Sequence, residues 1–226
     1  QRVLEHADHV RRAAQRVAVL QALLVARRAV RGQVGAQPAD LAWLMVGRRE
    51  PGQRALVYRN SGIAACTDAP IIVYYKGNAP INQTRIISIV GTRLPTTYGK
   101  WLTRLIVEEL APYQPLIISG LAYGIDVTAH QTALDCNLQT VGVLAHSLAT
   151  IYPAAHQHIA KDIVAQGGLL TELSSTARIE KFNFPKRNRI VAGLSDATIV
   201  IETETKGGSM ITANLAFDYD RQVFAC

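Results

Sequence analysis

From residue 71 onward the chain repeats one alternation that leaves little choice of architecture: short runs of β-branched and other apolar residues, with helix-like segments between them. The runs are "IIVYYKGN", "RIISIVGTR", "PLIISGLA", "TVGVLAH", "GLLTEL", "ATIVIET" and "QVFAC". Between them lie "YGKWLTRLIVEELAP", "IDVTAHQTALDCN", "HQHIAKDIVAQGG" and "SMITANLAFDYD". Runs that are apolar throughout, rather than at every second residue, are buried on both faces. Strands that alternate with helices meet that condition in a parallel sheet covered on both sides. The expected fold class is therefore α/β, a doubly wound and mostly parallel sheet over residues 71–226. In such sheets ligands sit outside the carboxyl ends of the strands, so the loops leaving the strands are where function is sought.

The first fifty residues differ in kind, with no isoleucine and no lysine. Val10, Ala14, Val17, Leu20 and Leu24 fall at spacings of three and four with arginines between them, which predicts a helix over residues 3–31. After "GQVGAQPAD", Pro38 is placed to start a short helix through "LAWLMVG". Residues 1–50 are thus expected to form a small helical module, and residues 51–70 a linker. The chain's formal charge of +7 is concentrated here: residues 1–50 hold nine Arg and four acids, a net +5, and residues 51–226 hold fifteen bases and thirteen acids, a net +2. A global excess of this kind signals an anionic partner only where it is clustered. The Arg-rich start shares the acid-poor, amphipathic character of a transit peptide, but more helix-like sequence follows it rather than a cleavage-like junction. Arg27, Arg28 and Arg31 interrupt its most apolar stretch, so no membrane span is expected. Cys66, Cys136 and Cys226 lie far apart with no CxxC spacing, which points away from a disulfide framework or a zinc site and toward a reducing cytoplasm.

Within residues 51–226 a single cluster stands out, "KFNFPKRNRI" over residues 181–190, with four cations, two phenylalanines and two asparagines. Cations answer phosphates, and exposed rings need a flat partner. At the strand ends, "GTRLPTTYG" offers Gly91, Thr92 and Arg93 beside a helix start, which suits a phosphate. "GLAYGID" gives a tight turn through Gly120 and Gly124, with Asp126 read as the N-cap of the next helix rather than a catalytic base. "ETKGGSMIT" places Gly207, Gly208 and Ser209 at a helix N-terminus, where unpaired amides and the dipole favour an anion. None of these is GxGxxG or a P-loop, so no dinucleotide or triphosphate site is implied and no cofactor is expected. His130 reads as a packed histidine, and His156 and His158, two apart on a helix, point to different faces and cannot chelate together. Glu172 and Glu202 end their strands and read as polar caps, with general-base chemistry as the other option.

Taken in order, "IVGTR…TTYG", "ISGLAYGIDVTAH", "VGVLAHSLATIYP", "GGLLTEL", "FNFPKRNRIVAGLSDATIVIE" and "GGSMITANLA" closely resemble the DprA family, also called Smf. The resemblance covers roughly residues 71–226. It implies an extended Rossmann-like domain that binds single-stranded DNA without catalysing a reaction on it, helps load the RecA recombinase during natural transformation, and forms homodimers. It also implies site residues: Arg93 and Lys181 on phosphate, Phe184 stacked on a base, Arg187 and Asn188 in the same motif, and Ser119, Gly120, Gly207, Gly208 and Ser209 lining the pocket. In an extended segment Phe182 and Phe184 would face opposite ways, so Phe182 is expected to pack inward, with Pro185 stiffening the loop. Relatives continue past "VFAC", so the domain is expected to be truncated at its C-terminus. The alternative is an enzyme, a nucleoside monophosphate phosphoribohydrolase of the lysine-decarboxylase-like group; "GGSMIT" is faintly similar to its loop, but PGGxGTxxE is missing and no carboxylate follows Gly208 at the corresponding place.

Overall fold

The computed structural model describes residues 44–47, 53–57, 63, 66–83 and 85–226. The helix expected over residues 3–31 lies outside them. The strands are β1 (Leu44–Gly47), β2 (Gln53–Val57), β3 (Val73–Gly77), β4 (Ile86–Gly91), β5 (Leu116–Ser119), β6 (Thr140–Val143), β7 (Gly168–Thr171), β8 (Ala197–Ile201) and β9 (Gln222–Ala225). They form one sheet in the order β1-β2-β3-β7-β6-β5-β4-β8-β9. The six strands from β7 to β9 are parallel, and β1, β2 and β3 extend the sheet as an antiparallel flank paired to β7. The helices are α1 (Thr97–Leu110), α2 (Ile125–Asp135), α3 (Gln157–Gln166), α4 (Asn183–Leu194) and α5 (Gly208–Asp218).

Three expectations are corrected. "LAWLMVG" contains strand β1 rather than a short helix, and the span read as a linker contains strand β2. A short apolar run carries no periodicity that separates strand from helix, and here the decision falls to a hairpin whose second strand pairs with β3. The third correction concerns residues 181–190, which are not extended: they run into α4. Pro185 is the third helical residue, in the first turn, where its missing N–H removes no intrahelical bond. Ile190, Val191 and Leu194 then form the helix's buried side.

Successive residues of the central strands serve opposite layers. Val90, Leu116, Ile118, Val141, Val143 and Val200 pack with Ile190, Val191 and Leu194 of α4 and Ala213 of α5. Ile87, Ile89, Ile117, Ile199 and Ile201 pack with Leu102, Ile106 and Val107 of α1 and Ala129 and Ala133 of α2. A third cluster seats Ile159, Ala160 and Ile163 of α3 against Leu169 and Leu144. Each fully buried aliphatic chain of this kind contributes about 1.5–3 kcal/mol relative to exposure. This double-sided burial makes the middle of the sheet rigid. The chain winds outward from β4 through β5 and β6 to β7, then crosses back to place β8 on the other flank of β4. The loops after β4 and β8 therefore leave on opposite sides and open a crevice between them, the topological switch point of the sheet.

Candidate nucleic-acid interface

A cavity of about 430 Å³ occupies that crevice. The loop after β4 contributes Thr92, Arg93 and Leu94; the loop after β5, Gly120 and Ala122; the start of α4, Phe184, Arg187 and Asn188; and the loop into α5, Thr203, Glu204, Gly207, Gly208 and Ser209. Residues far apart in sequence thus meet at one rim. Two of the expected residues do not line it. Ser119 is fully buried, and its hydroxyl donates to the Ile89 carbonyl at 2.6 Å, inside the sheet. Lys181 is exposed just before α4, its carbonyl accepting the Phe184 amide at 3.3 Å, and it is not part of the cavity wall.

Arg93 is exposed, and its guanidinium carbon lies 6.0 Å from the centre of the Phe184 ring, a cation over an aromatic face. Tyr152 meets the same ring edge-on at 5.8 Å. Phe184 is thereby held in place from two directions while it still contributes to the cavity wall. Phe182 does not pack inward as expected: the residue is 63% exposed, because it sits at the N-cap of α4 rather than on an alternating strand.

Arg187 has turned out to be an internal brace. It is only 6% exposed, and Nη1 donates to the carbonyls of Gly120, at 2.6 Å, and Val143. Nε donates to Asn188 Oδ1 at 3.2 Å, and Asn188 Nδ2 donates to the Gly208 carbonyl at 3.1 Å. This chain of bonds ties the ends of β5 and β6 to the start of α5. Gly120 is required by it, since a Cβ there would stand 2.3 Å from the Arg187 guanidinium. Beneath lies Asp126, which is not the N-cap; Gly124 takes that place with φ +81°, and Asp126 turns its carboxylate back to the Ala122 amide at 3.3 Å. Burial pushes the Asp126 carboxyl above its ordinary value, opposed by the charge of Arg187 and the Ala122 amide. Burial likewise lowers Arg187, with Asp126 opposing.

The α5 N-terminus opens onto the cavity. Gly207 is its N-cap and supplies no side chain to the first amides, and Ser209 is engaged with Thr203, oxygen to oxygen at 2.6 Å. The amides and helix dipole there favour an anion. By contrast, the α1 N-terminus is already occupied by the protein's own carboxylate. Glu202 accepts from the Thr96 amide at 2.8 Å and from its hydroxyl, and Thr96 caps Gly99. Glu172, just after β7, pairs with Arg189 of α4. Both glutamates are therefore structural partners. His130 is fully buried, with Nδ1 2.7 Å from Thr140 Oγ1, and burial, aided by Arg187 and His156, lowers it to about 3. His156 holds the Leu121 carbonyl at 2.9 Å, and His158 pairs with Asp162 at 3.2 Å. Among the described residues there is no cluster of His, Cys, Asp and Glu able to hold a metal, and no helix long and apolar enough to cross a membrane.

Sequence reasoning gave no role to Tyr152, Leu94, Thr203 or Glu204. Nothing local in the sequence distinguished them.

Sheet and rim together define a doubly wound α/β protein whose switch-point crevice presents a cation, a ring and a helix N-terminus, groups whose chemistry suits a phosphate-bearing ligand. The family of DNA recombination-mediator protein A matches residues 57–226, and the chain belongs to it. It is 40% identical over 160 residues to Protein Smf of Synechocystis, covering 69% of this chain and 40% of that protein. It is 38% identical over 159 residues to the DNA processing protein DprA of Bacillus subtilis, covering 70% of this chain and 54% of that protein, so it spans about half or less of these relatives' lengths. The structure of DNA processing protein A from Streptococcus pneumoniae superposes with a TM-score of 0.71 at 31% identity, over 82% of this chain and 62% of that one. That of DNA processing protein A from Helicobacter pylori, described for its single-stranded DNA binding mode, superposes with a TM-score of 0.70 at 28% identity, over 84% and 82% of the two chains.

Proposed function

We propose that this chain binds single-stranded DNA at the switch-point cavity, without acting on it chemically, within a recombination mediator that protects incoming DNA and helps load RecA in natural transformation. The single observation that carries the reading is the convergence of the Arg93 guanidinium, the Phe184 ring and the open α5 N-terminus on one cavity. A flexible single strand presents phosphates and unpaired bases together; duplex DNA hides its base faces by stacking. Lys181 adds a cation at the rim, and a ring accepts any base, so binding follows the strand rather than its sequence. Arg187 and Asn188 serve this site by positioning the Gly120 and Gly208 loops rather than by meeting phosphate. The reading includes a homodimer, as the resemblance implies. A phosphoribohydrolase would need a carboxylate to assist bond cleavage, and the two strand-end candidates, Glu172 and Glu202, are already engaged with Arg189 and Thr96.

Fluorescence anisotropy with single-stranded and duplex oligonucleotides of equal length tests the proposal. Tighter binding of the single strand, weakening steeply with salt, is expected. Equal affinity for both forms, or release of base from nucleoside monophosphates, would overturn it.

A further inference from the structure

Resting on the reading of the cavity as a single-strand site, we infer that Tyr152 is a second nucleobase platform, which carries the strand out of the cavity and across the rim above β5 and β6, toward Tyr123. Phe184 has neighbours on two sides: Arg93 lies over one face and Tyr152 meets it edge-on. Tyr152 is the partner with surface to spare, 49% exposed, and it does not belong to the cavity wall. Its ring stands 5.8 Å from that of Phe184, so a base stacked there adjoins whatever fills the cavity.

The rim continues in the same character. Tyr123 is 48% exposed, and its ring is fixed edge-on to buried His156 at 4.9 Å; His156 in turn is held by the Leu121 carbonyl at 2.9 Å. Rings already held against a neighbouring ring lose little freedom when a base lands on them. The charge pattern agrees, because no acid occurs between Asp135 and Asp162, so this segment presents no carboxylate of its own to a polyanion. Two half-exposed tyrosines, one of them in an acid-free stretch beside the cavity that holds Arg93, match what a strand-tracking surface needs.

Anisotropy titrations of the full chain with a dT oligonucleotide and with an abasic oligonucleotide of equal length separate stacking from phosphate binding. Tyr152→Ala is expected to weaken dT binding roughly five-fold or more, the low end of base–ring stacking, while leaving abasic binding and the salt slope unchanged. Tyr152→Phe keeps the ring and is expected to bind dT as the parent does. Tyr123→Ala is expected to weaken only dT binding as well. If the parent binds neither oligonucleotide, the single-strand reading falls and the platform with it. If the parent binds and Tyr152→Ala matches it on dT, the platform alone is overturned. Equal losses on both oligonucleotides, or a Tyr152→Phe variant as weak as Tyr152→Ala, also overturn it, since either result assigns the residue to structure or hydrogen bonding.

Discussion

Arg93 and Phe184 are neighbours in the site but act through different forces, and substitution separates them. An arginine that neutralises a phosphate releases counterions, about 0.7 in the slope of log affinity against log salt for each phosphate on a single strand. Arg93→Ala is therefore expected to flatten the salt dependence of binding. Phe184→Ala is expected to lose about 1–3 kcal/mol of affinity with the slope preserved, because stacking involves no counterion. Salt titrations of both variants check this, and matching slopes for Arg93→Ala and the parent would remove Arg93 from the site. Arg187 teaches the opposite lesson. It belongs to the same cationic run as Lys181 and Lys186, yet it is buried, with its Nη1 bonds spent on Gly120 and Val143.

Two helices lead away from the cavity, and their N-termini are treated differently. The start of α1 is neutralised from within by Glu202, which bonds the Thr96 amide and hydroxyl and comes from the end of β8. The start of α5 has a glycine cap that makes no side-chain bond to the first amides. Glu202→Gln keeps the shape but removes the charge facing the α1 dipole, so a loss of about 1 kcal/mol of stability is expected, read as a lowered urea midpoint. An unchanged midpoint would mean that the contact contributes nothing net. Helix α4 shows why such elements are hard to read in sequence. Its first turn holds a proline and a cation, signals shared by loops, and only its last two turns show apolar spacing.

Stability of the molecule as a whole should depend on pH through His130. Its folded-state value of about 3 lies below the ordinary value near 6.5, so between these limits the unfolded chain binds more protons than the native one. The stabilisation is present above about pH 6.5 and is lost as pH falls toward 3. Urea midpoints measured from pH 7.5 down to about pH 5 are expected to fall more steeply for the parent than for His130→Gln; parallel curves would exclude His130 as the source. Buried Asp126, whose value is raised, acts in the opposite sense: its contribution is present below its unfolded value and lost as pH rises through its folded one. The difference between the parent and His130→Gln therefore isolates His130. At this level the sequence by itself determined the parallel sheet, because uniformly apolar runs between helices must be covered on both faces, and it determined which loops carry Arg93, Gly120 and Gly207 to one edge. Tertiary structure alone decided which side chains of residues 181–190 meet solvent, that β1 and β2 join the sheet, and that Tyr152 stands beside Phe184. The physical reason is range. Periodicity records which faces are covered within one element, whereas the place of Arg187 is set by carbonyls 67 and 44 residues away, and no local pattern carries that distance.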